Sequence, residues 1–166
     1  MAKQAEPRPL TTWIDVRCSP AAAWEVVSDV RRTGEWSPEC RRVIPLGALG
    51  AGALLVGVNR RGSVLWVTLS RVLNWSPGSS IGWLVLTNRS EWHYELTPTA
   101  EGTRITQTRR TPRGEGRFAL VFTRFLLGGQ AGHDDELERG MAQGLERIKA
   151  ILEASPVDRT AHAASA

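Results

Sequence analysis

The stretch DDELERGMAQGLERIKAILEA, residues 134–154, decides how the rest of this chain can fold. Apolar side chains recur in it at spacings of three and four residues, at Leu137, Met141, Leu145, Ile148 and Leu152. That spacing puts them in one stripe along an α-helix. A helix with a single apolar stripe needs an apolar surface to pack on, and almost everything before it has the pattern of β-strands. The sequence therefore predicts a curved antiparallel sheet that holds this helix.

Two glycines, Gly140 and Gly144, lie one turn apart in the same stretch. Each costs up to about 1 kcal/mol relative to alanine inside a helix. We expect this cost to be offset either by a close approach of the helix to the sheet or by space for a ligand.

The first part of the chain predicts a strand followed by two short helices. In residues 11–18, Thr12, Ile14, Val16 and Cys18 alternate with Trp13, Asp15 and Arg17, which is typical of a half-buried strand. Serine is a favoured N-cap residue and proline a favoured first residue of a helix, so Ser19 and Pro20 predict the start of the first helix. Residues 29–36 predict a second short helix, broken at Gly34 and capped by its first residue, Asp29.

About six further strands follow. Their predicted ranges are 41–46, 54–60, 63–75, 81–87, 91–97 and 103–110. The longest has Trp66, Thr68, Ser70 and Val72 on one face and Leu65, Val67, Leu69 and Leu73 on the other. Its alternation leaves open which face points inward. A helix is then predicted at residues 116–127, followed by a break at Gly128–Gly129, so the order of elements is that of an α+β fold.

Composition and length limit the class of protein. The chain has 166 residues, of which 42% are hydrophobic, and seven of its eleven aromatic residues are tryptophan. We expect a loose arm at residues 1–10, one folded domain at 11–154 and a frayed tail at 155–166. The start of the chain lacks the apolar core of a signal peptide, and no run is long enough to span a membrane. We therefore expect a cytoplasmic protein.

The formal net charge of +4 permits attraction to nucleic acid, anionic lipid or acidic ligands. No long block of Lys or Arg is present, so a solvated basic surface is the favoured interpretation, and no specific nucleic acid is expected. The two cysteines, Cys18 and Cys40, have no metal-binding or redox spacing, and a disulfide between them stays open.

Four segments resemble one known superfamily. They are SPAAAWEVVSDVRRTGEWSPEC, VGVNRRG with Trp66 after the hairpin, EWHYELTPTAEGTRIT and ELERGMAQGLERIKAILE. The chain from about Thr11 to Ala154 resembles the START-like, helix-grip proteins, and among them the polyketide cyclase/dehydrase and lipid-transport branch (SRPBCC proteins). The resemblance implies a seven-stranded antiparallel sheet around the long C-terminal helix, with a hydrophobic cavity between them. The break at Gly128–Gly129 departs from the simplest version, in which one helix runs through.

Aromatic rings supply most of the candidate ligand-binding residues, because ligand cavities are mostly apolar with a few polar anchors. The predicted set is Trp36, Trp66, Thr68, Ser70, Trp83, Trp92, Tyr94, Gln107, Phe118, Phe122, Phe125, Met141 and Gly144. Arg109 is a further possible anchor. For any single ring, ordinary core packing is the alternative interpretation.

No catalytic residue is assigned. His93 alternates with Trp92 and Tyr94 and should point outward if those rings point inward. The three histidines are scattered, so we expect no metal site and no cofactor.

Three functions remain open. The first is binding or carriage of a hydrophobic small molecule of lipid, polyketide or isoprenoid type. The second is a polyketide cyclase, aromatase or dehydratase that uses polar groups of the cavity, and the lack of a paired acid and base favours the first over it. The third and weakest is a basic-surface module that binds RNA or an anionic membrane. The oligomeric state is left open between monomer and dimer.

Overall fold

The computed structural model describes residues 8–111 and 133–154, with side chains from residue 135 onward in the second range. The helix predicted at residues 116–127, the break at Gly128–Gly129 and the tail after residue 154 lie outside the described residues. Among the residues described, no helix is long and apolar enough to cross a bilayer.

Seven strands form one antiparallel sheet, in the order β1-β7-β6-β5-β4-β3-β2. The strands are β1 (Leu10–Val16), β2 (Cys40–Leu46), β3 (Leu54–Arg61), β4 (Val64–Ser76), β5 (Ser80–Val85), β6 (Glu91–Thr99) and β7 (Gly102–Arg110). Helix α1 (Pro20–Val27) and a 3₁₀ helix (Val30–Glu35) follow β1, and α2 (His133–Ala154) ends the fold. The predicted α+β architecture, a seven-stranded sheet with a long C-terminal helix, is confirmed.

The start of α1 is the one that the sequence predicts. Ser19 accepts a hydrogen bond from the backbone N–H of Ala22 through its Oγ, at 3.2 Å, and Pro20 is the first helical residue. This bond satisfies one of the N–H groups that a helix start leaves without a partner.

The prediction for residues 29–36 is partly wrong. This segment is a continuous 3₁₀ helix that is not broken at Gly34, and Asp29 occupies the cap position without a capping hydrogen bond from its side chain. Gly34 has a different role: a Cβ at this position would collide with the backbone carbonyl of Arg41. The glycine therefore permits close packing of the 3₁₀ helix against the start of β2.

The concave face of the sheet changes in character along the strands. Near the end of β1, the side chains of Ile14, Ile105 and Leu96 lie side by side in register on β1, β7 and β6. Two residues further along β7 and β6, the same face presents Gln107 and Tyr94. One end of the face is thus an ordinary apolar core, whereas the other end is aromatic and polar.

Helix α2 lies across both ends of this face. Leu145, Ile148 and Leu152 in its second half are buried in the apolar core, as the stripe predicts. Polar contacts fix that half to β1, because Lys149 donates from Nζ to the carbonyl of Asp15 at 2.9 Å. The first half of α2 instead lies over the aromatic end of the face.

The structure shows which face of β4 points inward, which the alternation in its sequence leaves open. Ser70 and Val72 are buried and lie on the concave face with Trp66 and Thr68. The opposite face, with Leu65, Val67, Leu69 and Leu73, is exposed to solvent. Both cysteines are free thiols, which settles the open question of a disulfide.

Candidate functional site

A cavity of about 810 Å³ lies between the aromatic end of the sheet and the first half of α2. Its volume is within the range of roughly 300–1,000 Å³ that is usual for small-molecule sites. Its lining includes every predicted ligand-binding residue that the structure describes: Trp36, Trp66, Thr68, Ser70, Trp83, Trp92, Tyr94, Gln107, Met141 and Gly144. Phe118, Phe122 and Phe125 lie outside the described residues. Binding of a ligand by these residues stays a prediction.

Flat rings form much of the cavity wall. The rings of Trp83 and Tyr94 lie 5.9 Å apart between centroids and are tilted by 41°. Trp36, at the end of the 3₁₀ helix, is 2% exposed, and its indole N–H makes no hydrogen bond within residues 8–111 and 133–154. Buried indole N–H groups normally have a partner. The indole N–H nevertheless lies close enough to the Tyr94 hydroxyl to lower the pKa of that phenol, so the two groups form one polar patch on the cavity wall.

Tyr94 and Gln107 form the polar pair on the cavity wall. The Nε2 of Gln107 donates to the Tyr94 hydroxyl oxygen at 3.1 Å. Burial raises the pKa of the Tyr94 phenol, and the adjacent Trp36 indole offsets this only in part. The phenol therefore keeps its proton at neutral pH. Because its oxygen already accepts from Gln107, its own O–H can be donated to a ligand oxygen.

Arg109 adds a positive charge to the same wall. It is mostly buried on β7, in register with Trp92 on β6, and its guanidinium carbon lies 5.8 Å from the centre of the Trp92 ring. That distance permits a cation–π interaction. The Trp92 indole donates to the Ser90 hydroxyl at 3.2 Å, and this hydroxyl donates to Asn88 at 2.7 Å. These bonds hold the Trp92 ring in place beside the guanidinium.

On the other side of the cavity, β3 and β4 contribute small polar groups. Asn59 donates from Nδ2 to the Thr68 hydroxyl at 3.3 Å. Gly57 faces Thr68 in register, and a Cβ there would lie 2.6 Å from the Thr68 oxygen. The glycine is therefore needed for Thr68 to occupy its place on the concave face.

Charged groups meet at the end of the cavity that the hairpin between β3 and β4 lines. Arg61 at the end of β3 contacts two carboxylates, that of Glu136 on α2 and that of Glu39 before β2. The distance from Arg61 to the Glu39 carboxylate is 3.8 Å. This set joins the start of α2 to the sheet at that end of the cavity.

The glycines of α2 face the segment that follows the 3₁₀ helix. A Cβ on Gly144 would lie 3.4 Å from the Trp36 carbonyl oxygen, and one on Gly140 would lie 3.3 Å from Pro38. Both glycines also line the cavity. They therefore allow a close approach of the helix to this segment, and not to the sheet as expected from the sequence, while they also leave space in the cavity.

Acid–base and metal chemistry have few candidates here. His93 is on the convex side of the sheet, 3.8 Å from Glu91, and does not line the cavity. Among the described lining residues, the carboxylates are those of Glu39 and Glu136, and both contact Arg61. The described residues hold no cluster of three potential metal ligands.

Sequence reasoning missed several lining residues. Asn88 and Ser90 fall between the predicted strands 81–87 and 91–97, and Arg61 falls in the hairpin between the predicted strands 54–60 and 63–75, so no pattern marks them as lining residues. Glu39 precedes a strand without any pattern that would mark it. The position of these residues depends on how β5, β6 and α2 meet in space, which no local spacing reveals.

Comparisons with known proteins give a consistent result. A family model described as polyketide cyclase / dehydrase and lipid transport matches residues 9–153. No curated protein matches the chain significantly.

Solved structures share the fold. A polyketide cyclase-like protein from Corynebacterium glutamicum is 27% identical, with a TM-score of 0.58 over 89% of this chain and 93% of that one. The Zhui aromatase/cyclase of a Streptomyces species is 16% identical, with a TM-score of 0.66 over 88% and 93%. The protein Ara h 8.0201 is 9% identical, with a TM-score of 0.65 over 89% and 99%. These likenesses agree with the helix-grip fold that the sequence predicts.

Proposed function

The chain belongs to the polyketide cyclase/dehydrase and lipid-transport family, and we propose that it binds a hydrophobic small molecule between its sheet and α2. The observation that carries this proposal is the cavity of about 810 Å³, with tryptophan rings on its wall and a few buried polar groups among them. A core without a ligand would fill such a space with aliphatic side chains, because voids are costly.

The polar groups indicate the chemistry of the ligand. The Tyr94 hydroxyl, the Trp36 indole and the Arg109 guanidinium are all donors on the cavity lining. No histidine is among the described lining residues. The carboxylates of that lining, those of Glu39 and Glu136, contact Arg61. The preferred ligand is therefore flat or extended, largely apolar, and carries an acceptor such as a carbonyl, enolate or carboxylate oxygen.

A titration with a fluorescent fatty-acid probe tests this proposal, with tryptophan quenching as the signal. Wild-type protein should bind saturably, and Gly144→Leu should weaken binding at least tenfold by placing an isobutyl group beside Trp36. Ala150→Leu creates the same isobutyl side chain on the exposed side of α2, by adding three carbons to the alanine methyl, and serves as the matched control. Ser70→Phe fills the cavity from β4 and keeps the test valid if Gly144→Leu fails to fold. Equal binding by the wild type and the correctly folded cavity variants would refute the proposal.

Cyclisation of a poly-β-ketone is the second candidate function, and the Tyr94–Gln107 pair favours it. A phenol that stays protonated can donate to a ketone oxygen while an enol carbon of the same ligand attacks that ketone carbon. The new C–C bond forms as the C=O π bond breaks, and the oxygen takes the phenol proton. The proton lost by the enol oxygen returns to the phenolate through solvent.

Tyr94→Phe separates the two functions, because it removes the hydroxyl and keeps the ring. If the protein is a cyclase, this variant should lose turnover of a synthetic poly-β-ketone but keep probe binding. If wild-type protein binds the compound without converting it, binding alone is the function.

A further inference from the structure

The convex face of β2–β5 exposes apolar side chains where a solvent-facing sheet normally carries polar ones. Leu65 and Val67 on β4 are 65% and 63% exposed. The exposed set on these strands and just after β5 is Ile44, Leu46, Leu65, Val67, Leu69, Leu73 and Leu86. Strand register places them together: Ile44 is opposite Val56, which is opposite Leu69. They form one continuous surface, here called the outer apolar face.

Charge is distributed unevenly along the chain, and the outer apolar face belongs to the basic part. Residues 40–90 contain six of the 21 Lys and Arg residues and none of the 17 Asp and Glu. The remaining 15 basic residues are outnumbered by the acidic ones, so the formal net charge of +4 comes from this part. The strands β6 and β1 carry acids on the same convex side, among them Glu95 and Asp15.

Three arginines lie within the outer apolar face. Arg42 is in register with Val58 and Val67, Arg60 with Leu65, and Arg71 with Leu84. All three are exposed, and neither Arg42 nor Arg71 forms an ion pair with a described residue. Apolar and cationic side chains therefore alternate over one surface that contains no carboxylate.

We infer that the outer apolar face docks on the surface of a lipid bilayer that contains anionic lipids. Leucine and valine side chains partition into the region just below the headgroups, while arginines on the same surface contact lipid phosphates. A second copy of the chain fits poorly, because a two-fold contact would set these arginines against one another without a carboxylate. Nucleic acid would pair with the arginines but leave the leucines exposed to water.

The position of the cavity agrees with this orientation. The hairpin between β3 and β4 contributes Arg61 and Gly62 to the cavity lining, and Leu65 follows three residues later on the outer apolar face. A bilayer against the outer apolar face therefore lies next to a hairpin that lines the cavity. Docking itself depends only on the outer face and holds whatever the cavity binds.

Vesicle sedimentation tests the inference with the full chain. Wild-type protein should sediment with phosphatidylcholine vesicles that contain about one third phosphatidylserine, far less with pure phosphatidylcholine, and less as salt is added. The double variant Leu65→Ser, Val67→Ser should lower the partition coefficient at least tenfold. Arg42→Gln with Arg71→Gln should lower it by about fivefold per arginine on anionic vesicles.

Matched controls come from the other half of the convex face. Trp13→Ser removes an apolar group that is 56% exposed on β1, and Arg110→Gln removes an exposed charge on β7. Both should bind vesicles as the wild type does. Thermal melts should be close to the wild type for all outer-face variants, since these side chains are exposed.

Three results would overturn the inference. One is absence of wild-type binding to the anionic vesicles, and another is equal loss of binding in the controls. The third is a different occupant: a dimer that the Leu65→Ser, Val67→Ser variant abolishes, or an RNA oligonucleotide that binds through the same arginines while vesicles do not.

Discussion

Leu145→Ala measures how much the packing of α2 in the apolar core contributes to the free energy of unfolding. Leu145 is 1% exposed and belongs to the apolar core beneath the second half of the helix. The substitution removes three carbon atoms, which at about 0.8 kcal/mol each corresponds to roughly 2.4 kcal/mol of lost transfer free energy. The void that remains brings the expected loss in the free energy of unfolding to about 3–4 kcal/mol. Urea denaturation followed by tryptophan fluorescence provides the measurement, with an unchanged m-value as the condition for comparison.

Two further variants of α2 make the measurement specific. Met141 is also buried, but its side chain lines a cavity that already exists, so Met141→Ala should cost only about 1–2 kcal/mol. Glu146→Ala on the exposed side should change stability by less than about 0.5 kcal/mol. A loss below about 1 kcal/mol for Leu145→Ala, or an equal loss for Met141→Ala, would refute the division of α2 into a core half and a cavity half.

Three other predictions concern single positions. Tyr94 is the only tyrosine, and its pKa is raised in the folded protein. The unfolded chain therefore loses this proton first, so the free energy of unfolding is retained below about pH 10 and falls as the pH rises further. Alkaline melts should show a shallower fall for Tyr94→Phe. Gly34→Ala should lower the free energy of unfolding by about 1–3 kcal/mol in urea titrations, because its Cβ would meet the carbonyl of Arg41, which is backbone and cannot turn aside. Gly144→Ala should instead raise it by up to about 1 kcal/mol, since its Cβ would make an ordinary contact; a loss there would mean that the helix cannot shift.

Much of the fold follows from patterns that are local in the sequence. The spacing from Leu137 to Leu152 predicts α2, and Ser19–Pro20 predicts the start of α1, because stripes and caps depend only on near neighbours. The 3₁₀ helix shows the limit of such reasoning. Gly34 was read as a break in a helix, yet its role depends on the Arg41 carbonyl, which the fold brings against it.

The candidate site is less accessible to the same reasoning. Trp92, Tyr94 and Gln107 could be grouped because they alternate on strands, and the structure brings them to one cavity. The contribution of Arg61 and the absence of His93 from the lining follow from how whole elements meet. The inward face of β4 could not be predicted from the sequence. Its more aliphatic face is the exposed one, against the usual rule that the apolar face is buried.

The two faces of β4 have a consequence for how the chain reaches this fold. A slip of β4 by one residue would exchange Thr68 and Ser70 for Val67 and Leu69 on the concave side. The slipped pairing would bury these aliphatic side chains, but it would also turn Trp66 outward and bring the charged Arg71 onto the concave side, where a buried charge is costly. The native alignment is favoured by the tight turn at Gly62 and by Gly57, whose missing side chain accommodates Thr68. A β3–β4 hairpin that formed out of register would have to open again before the sheet could be completed, which would slow folding and prolong the exposure of its aliphatic side chains.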